Sequence, residues 1–153
     1  MSDHPLLRPG QPLPGFLGER NGISVVLFFR GSWCPVCRTY LLRIAEHGDE
    51  WRGLGASIIA ISSYKLGCSK DDTQLRSLDI EYVYDRDAVE ISRLGINHED
   101  DDHGAIAHPA ALIADNQGII RYAHVGLHPR DRPEPDAILL AVRRLAEENA
   151  NCV

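Results

Sequence analysis

Short, almost wholly apolar runs alternate with longer amphipathic ones along this chain. Ile23 to Phe29 is nearly all β-branched or aromatic and lacks the polar alternation of a half-solvated strand, so it predicts a strand buried on both faces. From Pro35 to about Arg52 the apolar positions Cys37, Tyr40, Leu41, Ile44, Ala45 and Trp51 recur at helical spacing. Arg38, Arg43, Glu46 and Glu50 lie opposite, and Gly53 and Gly55 end the helix. Ala56–Ile61 predicts a second buried strand, and Ser69 or Asp71 caps a short helix running through Leu75 to Leu78. A strand at Tyr82–Tyr84, a helix from about Asp87 to Leu94 closed by Gly95, and a polar loop from Ile96 to Ala107 follow. Ala110–Ala114 and Ile119–Val125 flank Asp115-Asn116-Gln117-Gly118, the turn chemistry of an antiparallel hairpin. An amphipathic helix from about Glu134 to Glu148 closes the chain.

Residues 5–18 carry too many prolines and glycines for a helix or central strand and read as an extended lead-in segment. The whole order predicts an α/β fold with a mixed central sheet, parallel early and antiparallel late, and helices on both faces. At 153 residues it is expected to be a single domain. The formal net charge of −6 argues against nucleic acid or an anionic membrane surface as a partner. No apolar run approaches the ~18–20 residues of a membrane span, and the amino terminus has no basic stretch leading into an apolar one, so a cytoplasmic protein is the expectation. No flavin, nicotinamide or haem motif is present, and no cofactor is expected.

The chemistry is concentrated in Trp33-Cys34-Pro35-Val36-Cys37, which directly follows the first strand. Two cysteines three residues apart at a helix start lie on one face and can close a small disulfide ring. Pro35 suits the first helical position, where its missing N–H costs nothing, which puts Cys34 at the cap and Cys37 in the first turn. Unpaired N–H groups and the positive end of the helix dipole favour thiolate there. One C-x-x-C is also half of a zinc site, which His47, His98, His103, Cys68 or Cys152 would have to complete, but no second pair at ligand spacing exists. The acidic run His98–His103 reads as a solvated loop, and Cys152, near the chain end, as a bystander rather than a resolving thiol.

The strand, the Trp33–Cys37 motif, the helix after it and His108-Pro109 before the hairpin together resemble the thioredoxin superfamily over nearly the whole chain. Phe29–Cys37, the proline-rich lead-in and Ala56–Ser62 resemble its peroxiredoxin-like branch, the alkyl hydroperoxide reductase and thiol-specific antioxidant proteins. The resemblance implies a thioredoxin-like fold in which Pro109, after a cis peptide bond, faces the cysteines. Trp33, Pro35, His108 and Pro109 then shape the surface that receives substrate. Laid on Cys37, the branch's usual proline and threonine positions hold Arg30 and Cys34. The branch's arginine beside the thiolate has no counterpart in Ala107–Ala111, which leaves Arg30 as the candidate substitute.

The resulting expectation is a thiol–disulfide oxidoreductase. Cys34, taken as the more exposed thiol and the better-stabilised thiolate, attacks a substrate disulfide, and Cys37 resolves the mixed disulfide. The alternative is a thiol peroxidase in which Cys37 attacks a hydroperoxide and Cys34 condenses with the sulfenic acid. Partners implied are a disulfide-containing protein or a small thiol or hydroperoxide, a thiol electron donor, and, since peroxiredoxin-like frames often pair, a second copy of the chain.

Overall fold

The strand Ile23–Phe28 (β1) is buried at all six positions because it runs through the middle of the molecule. The computed structural model describes residues 4–151. β1 pairs in parallel with β2 (Ala56–Ser62) on one side and antiparallel with β6 (Ala110–Ala114) on the other. With β3 (Glu81–Tyr84) and β7 (Ile120–Val125) the sheet order is β3-β2-β1-β6-β7. Alternate residues of β1 feed two cores. Ile23, Val25 and Leu27 pack with α1 (Pro35–Ala45), α2 (Gly48–Gly53), α3 (Lys70–Arg76) and α5 (Pro135–Asn151). Val26 and Phe28 pack with α4 (Val89–Arg93) and with Leu7 and Leu17 of the lead-in. A strand covered on both faces has no reason to alternate, which is why its sequence does not. The lead-in pairs its backbone with β7, Gly10 N–H donating to Ile120 O and Ile120 N–H to Gln11 O at 2.8 Å each, and so shields part of a sheet edge.

Three local structures differ from the sequence reading. The single helix expected from Pro35 to Arg52 is two, α1 and α2, broken at Glu46–His47. There the indole N–H of Trp51 donates to Ile44 O at 2.8 Å, occupying a carbonyl that a continuous helix would use, and Gly48 offers little propensity to resist the break. The expected helix from Asp87 to Leu94 is a 3₁₀ turn, Arg86–Ala88, followed by the short α4, with Asp87 and Ala88 at positive φ. The buried Asp85 carboxylate accepts from Glu90 N–H and Ile91 N–H and caps α4 across that kink.

The polar loop expected from Ile96 to Ala107 is instead a small antiparallel hairpin of β4 (Asn97–Asp100) and β5 (Gly104–Ala107). Polar residues at every position of β4 hid it, because no apolar face was there to read. Asp100 accepts from Asp102 N–H and faces His103 Nδ1 at 2.8 Å, and Gly104 at φ +70° closes the turn.

Candidate active site

β1 delivers the chain to Arg30 at the carboxyl end of the sheet, and α1 begins five residues later. Cys34 is the N-cap of α1, with extended backbone and Pro35 as the first helical residue. Its Sγ accepts from Cys37 N–H at 3.4 Å, an orphan donor of the first turn. A guanidinium nitrogen of Arg30 lies 3.7 Å from the same sulfur. Cys34 and Cys37 are free thiols, 2 % and 0 % exposed, so the expectation that Cys34 is distinguished by exposure fails. Cys37 is in the first turn of α1, and both sulfurs belong to the core on that face of the sheet.

What separates the two sulfurs is the proton. The Cys37 thiol donates to Cys34, and with the Cys37 backbone N–H and the Arg30 charge this lowers the Cys34 pKa from 9.0 to about 5, against the cost of burial. The same hydrogen bond, followed by burial, pushes Cys37 up. The direction is that Cys34 is favoured as the thiolate and Cys37 as the thiol, with the Arg132 charge opposing the rise on Cys37.

Arg132, which the sequence reading missed, lies in the loop between β7 and α5 and places a guanidinium nitrogen 3.0 Å from Cys37 Sγ. Its Nε donates to Pro129 O and its guanidinium lies 5.1 Å from the Tyr40 ring centre. The loop is built to hold it. Asp131 accepts from Leu127 N–H and faces His124 of β7 at 2.8 Å, while the Tyr40 hydroxyl donates to Pro133 O at 2.7 Å. The only signal in the sequence was a pair of arginines in Pro129-Arg130-Asp131-Arg132-Pro133, ninety-five positions from the sulfur that Arg132 touches.

On the other side, Arg30 pairs with Asp100 of the β4–β5 hairpin at 3.2 Å. His103 lies flat on Trp33, centroids 3.5 Å apart and planes within 2°. Tyr64 meets the Trp33 ring edge-on, and Arg30 sits 4.9 Å from its centre. Gly31 is required here because a Cβ would collide with the Trp33 indole nitrogen, which is buried without a hydrogen-bond partner. Pro35 is exposed and Val36 half-buried.

His108 and Pro109 are carried to the same end of the sheet because Phe28 of β1 faces Ala110 of β6. They border a small cleft of ≈ 70 Å³ with Arg30 and Leu127, but neither is hydrogen-bonded to a sulfur. The expected cis bond before Pro109 is absent; the peptide is trans. Trans is the lower-energy X–Pro isomer, and the flanking hydrogen bonds of His108 N–H to Ile96 O and of Gly126 N–H to Pro109 O hold the chain in that path. The His108 imidazole, beside His98, is held below its ordinary pKa by burial first and by that neighbour second. Among the described residues no three His, Cys, Asp or Glu side chains cluster to hold a metal, so the zinc alternative finds no ligands there beyond the two cysteines. Cys68 is exposed on its own, and Cys152 lies outside the described residues.

A mixed sheet with a dithiol on the helix that follows its central strand is the thioredoxin-like arrangement. The chain belongs to the AhpC/TSA family, whose model matches residues 17–123. Its fold is shared by reduced Prx3 from Vibrio vulnificus, with a TM-score of 0.75 and 20 % identity over 88 % of this chain and 97 % of that one. Peroxidoxin BcpB from Mycobacterium tuberculosis aligns with a TM-score of 0.72 and 13 % identity over 91 % and 98 %. In sequence the chain is 31 % identical over 137 residues to the thiol:disulfide interchange protein DsbE of Yersinia pestis, covering 76 % of this chain and 64 % of that protein. The corresponding Escherichia coli K12 protein is 31 % identical over 117 residues, 72 % of this chain and 54 % of its own length. The chain thus spans between half and two thirds of these curated relatives.

Proposed function

We propose that this protein is a thiol–disulfide oxidoreductase working through Cys34 and Cys37. The observation that carries the reading is the geometry of the pair: the Cys34 sulfur sits at the helix cap, accepting from Cys37 N–H at 3.4 Å with an Arg30 nitrogen at 3.7 Å, and the free Cys37 thiol is buried one turn along. Cys34 attacks one sulfur of a substrate disulfide, forming a Cys34–substrate bond and releasing the other half as a thiolate. Cys37 then gives up its proton and attacks Cys34 Sγ, which forms the Cys34–Cys37 disulfide and releases the second half. A thiol donor reverses these steps and restores the dithiol. The similarity to thiol:disulfide interchange proteins supports the same assignment.

Thiol peroxidase activity is the second reading, and one observation favours it: Arg132 lies against Cys37, where an arginine would stabilise a peroxide-reactive thiolate. Against it, Cys37 is fully buried, and its hydrogen bond to Cys34 together with that burial raises its pKa. Partners follow from the first reading: a disulfide substrate and a thiol reductant. A cytoplasmic setting and a homodimer belong to the proposal as well.

Mixing the reduced protein with 2-hydroxyethyl disulfide and mapping the products tests this. Wild type should end with a Cys34–Cys37 disulfide, Cys37→Ser should stop at a mixed disulfide on Cys34, and Cys34→Ser should stay reduced. Rapid oxidation of Cys37 by hydrogen peroxide in the Cys34→Ser protein, with disulfides inert toward wild type, would transfer the activity to the peroxidase reading.

A further inference from the structure

A cavity of ≈ 400 Å³ opens beside the first turn of α1, walled by Val36 and Tyr40 and rimmed by Arg43, Arg130, Arg132 and Glu134. Its size suits a small molecule rather than a water or an ion. Glu134 is taken up by Arg43 at 2.6 Å. Among the described residues, the Arg132 side chain bonds to a backbone carbonyl and to Cys37 Sγ, with Tyr40 beneath it. Among the described residues, the Arg130 guanidinium has no carboxylate or other hydrogen-bond partner. Three arginines against one glutamate leave two positive charges at this mouth, on a chain whose net charge is −6. Arg132 bridges cavity and chemistry, since the same guanidinium lines the wall and touches Cys37.

From this we infer that the cavity is the substrate subsite, and that it takes a carboxylate-bearing small disulfide or its thiol, of about tripeptide size. The inference rests on the exchange reading and names its substrate class. One carboxylate of the ligand meets Arg130 and a second lies toward Arg132, while the ligand's apolar parts lie along Val36 and Tyr40 and its disulfide reaches Cys34 at the head of the helix. Exchange then runs as described above: one substrate S–S bond is broken, the Cys34–Cys37 bond is formed, and two small thiols leave with the two protons and two electrons of the dithiol.

The test is single-turnover oxidation of the reduced protein by three disulfides: oxidised glutathione (anionic), 2-hydroxyethyl disulfide (neutral) and cystamine (cationic). Each rate is divided by that of a free small thiol with the same reagent. The expected order is anionic, neutral, cationic. Arg130→Glu should slow oxidised glutathione by about tenfold and leave 2-hydroxyethyl disulfide within about twofold. S-methylglutathione, which cannot exchange, should bind the reduced wild type saturably and Arg130→Glu more weakly. Normalised rates independent of charge, or an Arg130→Glu effect equal on all three reagents, would overturn the subsite while leaving the exchange reading intact. Failure of all three disulfides to oxidise wild type would overturn both. An acidic, cysteine-free decapeptide that binds more tightly than S-methylglutathione would assign the cavity to a protein segment and overturn the small-molecule assignment.

Discussion

The two flanks of the dithiol each bring an arginine to one sulfur, and they treat its charge differently. On the hairpin flank, Arg30 reaches Cys34 but is also paired with Asp100, which in turn holds His103, which is stacked on Trp33. That flank is a closed unit whose positive charge is already balanced, and its effect is spent inside the protein on the Cys34 thiolate. On the loop flank, Arg132 reaches Cys37 and, among the described residues, neither it nor Arg130 beside it has a carboxylate partner. That flank keeps positive charge in reserve at the surface. A site arranged this way separates two tasks, tuning the nucleophile on one side and receiving an anion on the other.

The largest effect that bears on this contrast is the acidity of Cys34 itself. Alkylation of the reduced protein by iodoacetamide should rise with pH through a midpoint near 5 and be flat at neutrality, whereas the unfolded chain should show a midpoint near its ordinary value of 9.0. The linkage has a definite sign. Cys34, with its pKa lowered by folding, contributes stability to the reduced protein that grows from pH 5 to 9 and is lost as pH falls through 5. Cys37, with its pKa raised, contributes in full below 9 and loses its contribution above it. A thiolate stabilised this far favours the reduced form, so the pair should have a potential between about −270 and −120 mV, the values associated with attacking-cysteine pKa values of about 7 and 3.5. An alkylation midpoint above 7 would remove the distinction between the two thiols.

Next in size, Arg132→Met should slow the second step, closure of the Cys34–Cys37 disulfide, on the order of tenfold, because the developing Cys37 thiolate loses the guanidinium 3.0 Å away. A mixed disulfide should then accumulate in quenched-flow samples while the Cys34 midpoint stays in place. A shifted midpoint with normal closure would mean that the flanks are not separate. Smaller again, Arg30→Met should raise the Cys34 midpoint by roughly one unit, and Asp100→Asn, which releases Arg30, should lower it by less. The smallest effect is expected from His103→Ala, which removes the stack on Trp33. It should cost about 0.5–1.5 kcal/mol in urea denaturation and scarcely move the midpoint.

Much of the scaffold was legible in the chain. β1 and β2 could be read because strands buried on both faces must be apolar throughout, and α5 because a helix on a sheet must carry an apolar stripe. The cap at Cys34 could be read because Pro35 and the cysteine spacing act within one turn. The β4–β5 hairpin could not, since β4 is polar at every position and is held to the short, small-residue β5 by backbone pairing alone. The break between α1 and α2 could not either, because it depends on where the Trp51 indole finds an acceptor.

By itself, the sequence determined that a dithiol would sit at the positive end of a helix after a buried strand, because those are local consequences of residue type and spacing. The division of labour between the two sulfurs was decided by tertiary structure alone. Both are buried, and which one keeps the proton depends on Arg30, the Cys37 N–H and the loop that brings Arg132 back across ninety-five positions. Electrostatic forces act through space at a few ångströms, and nothing in the order of residues along a chain records those distances.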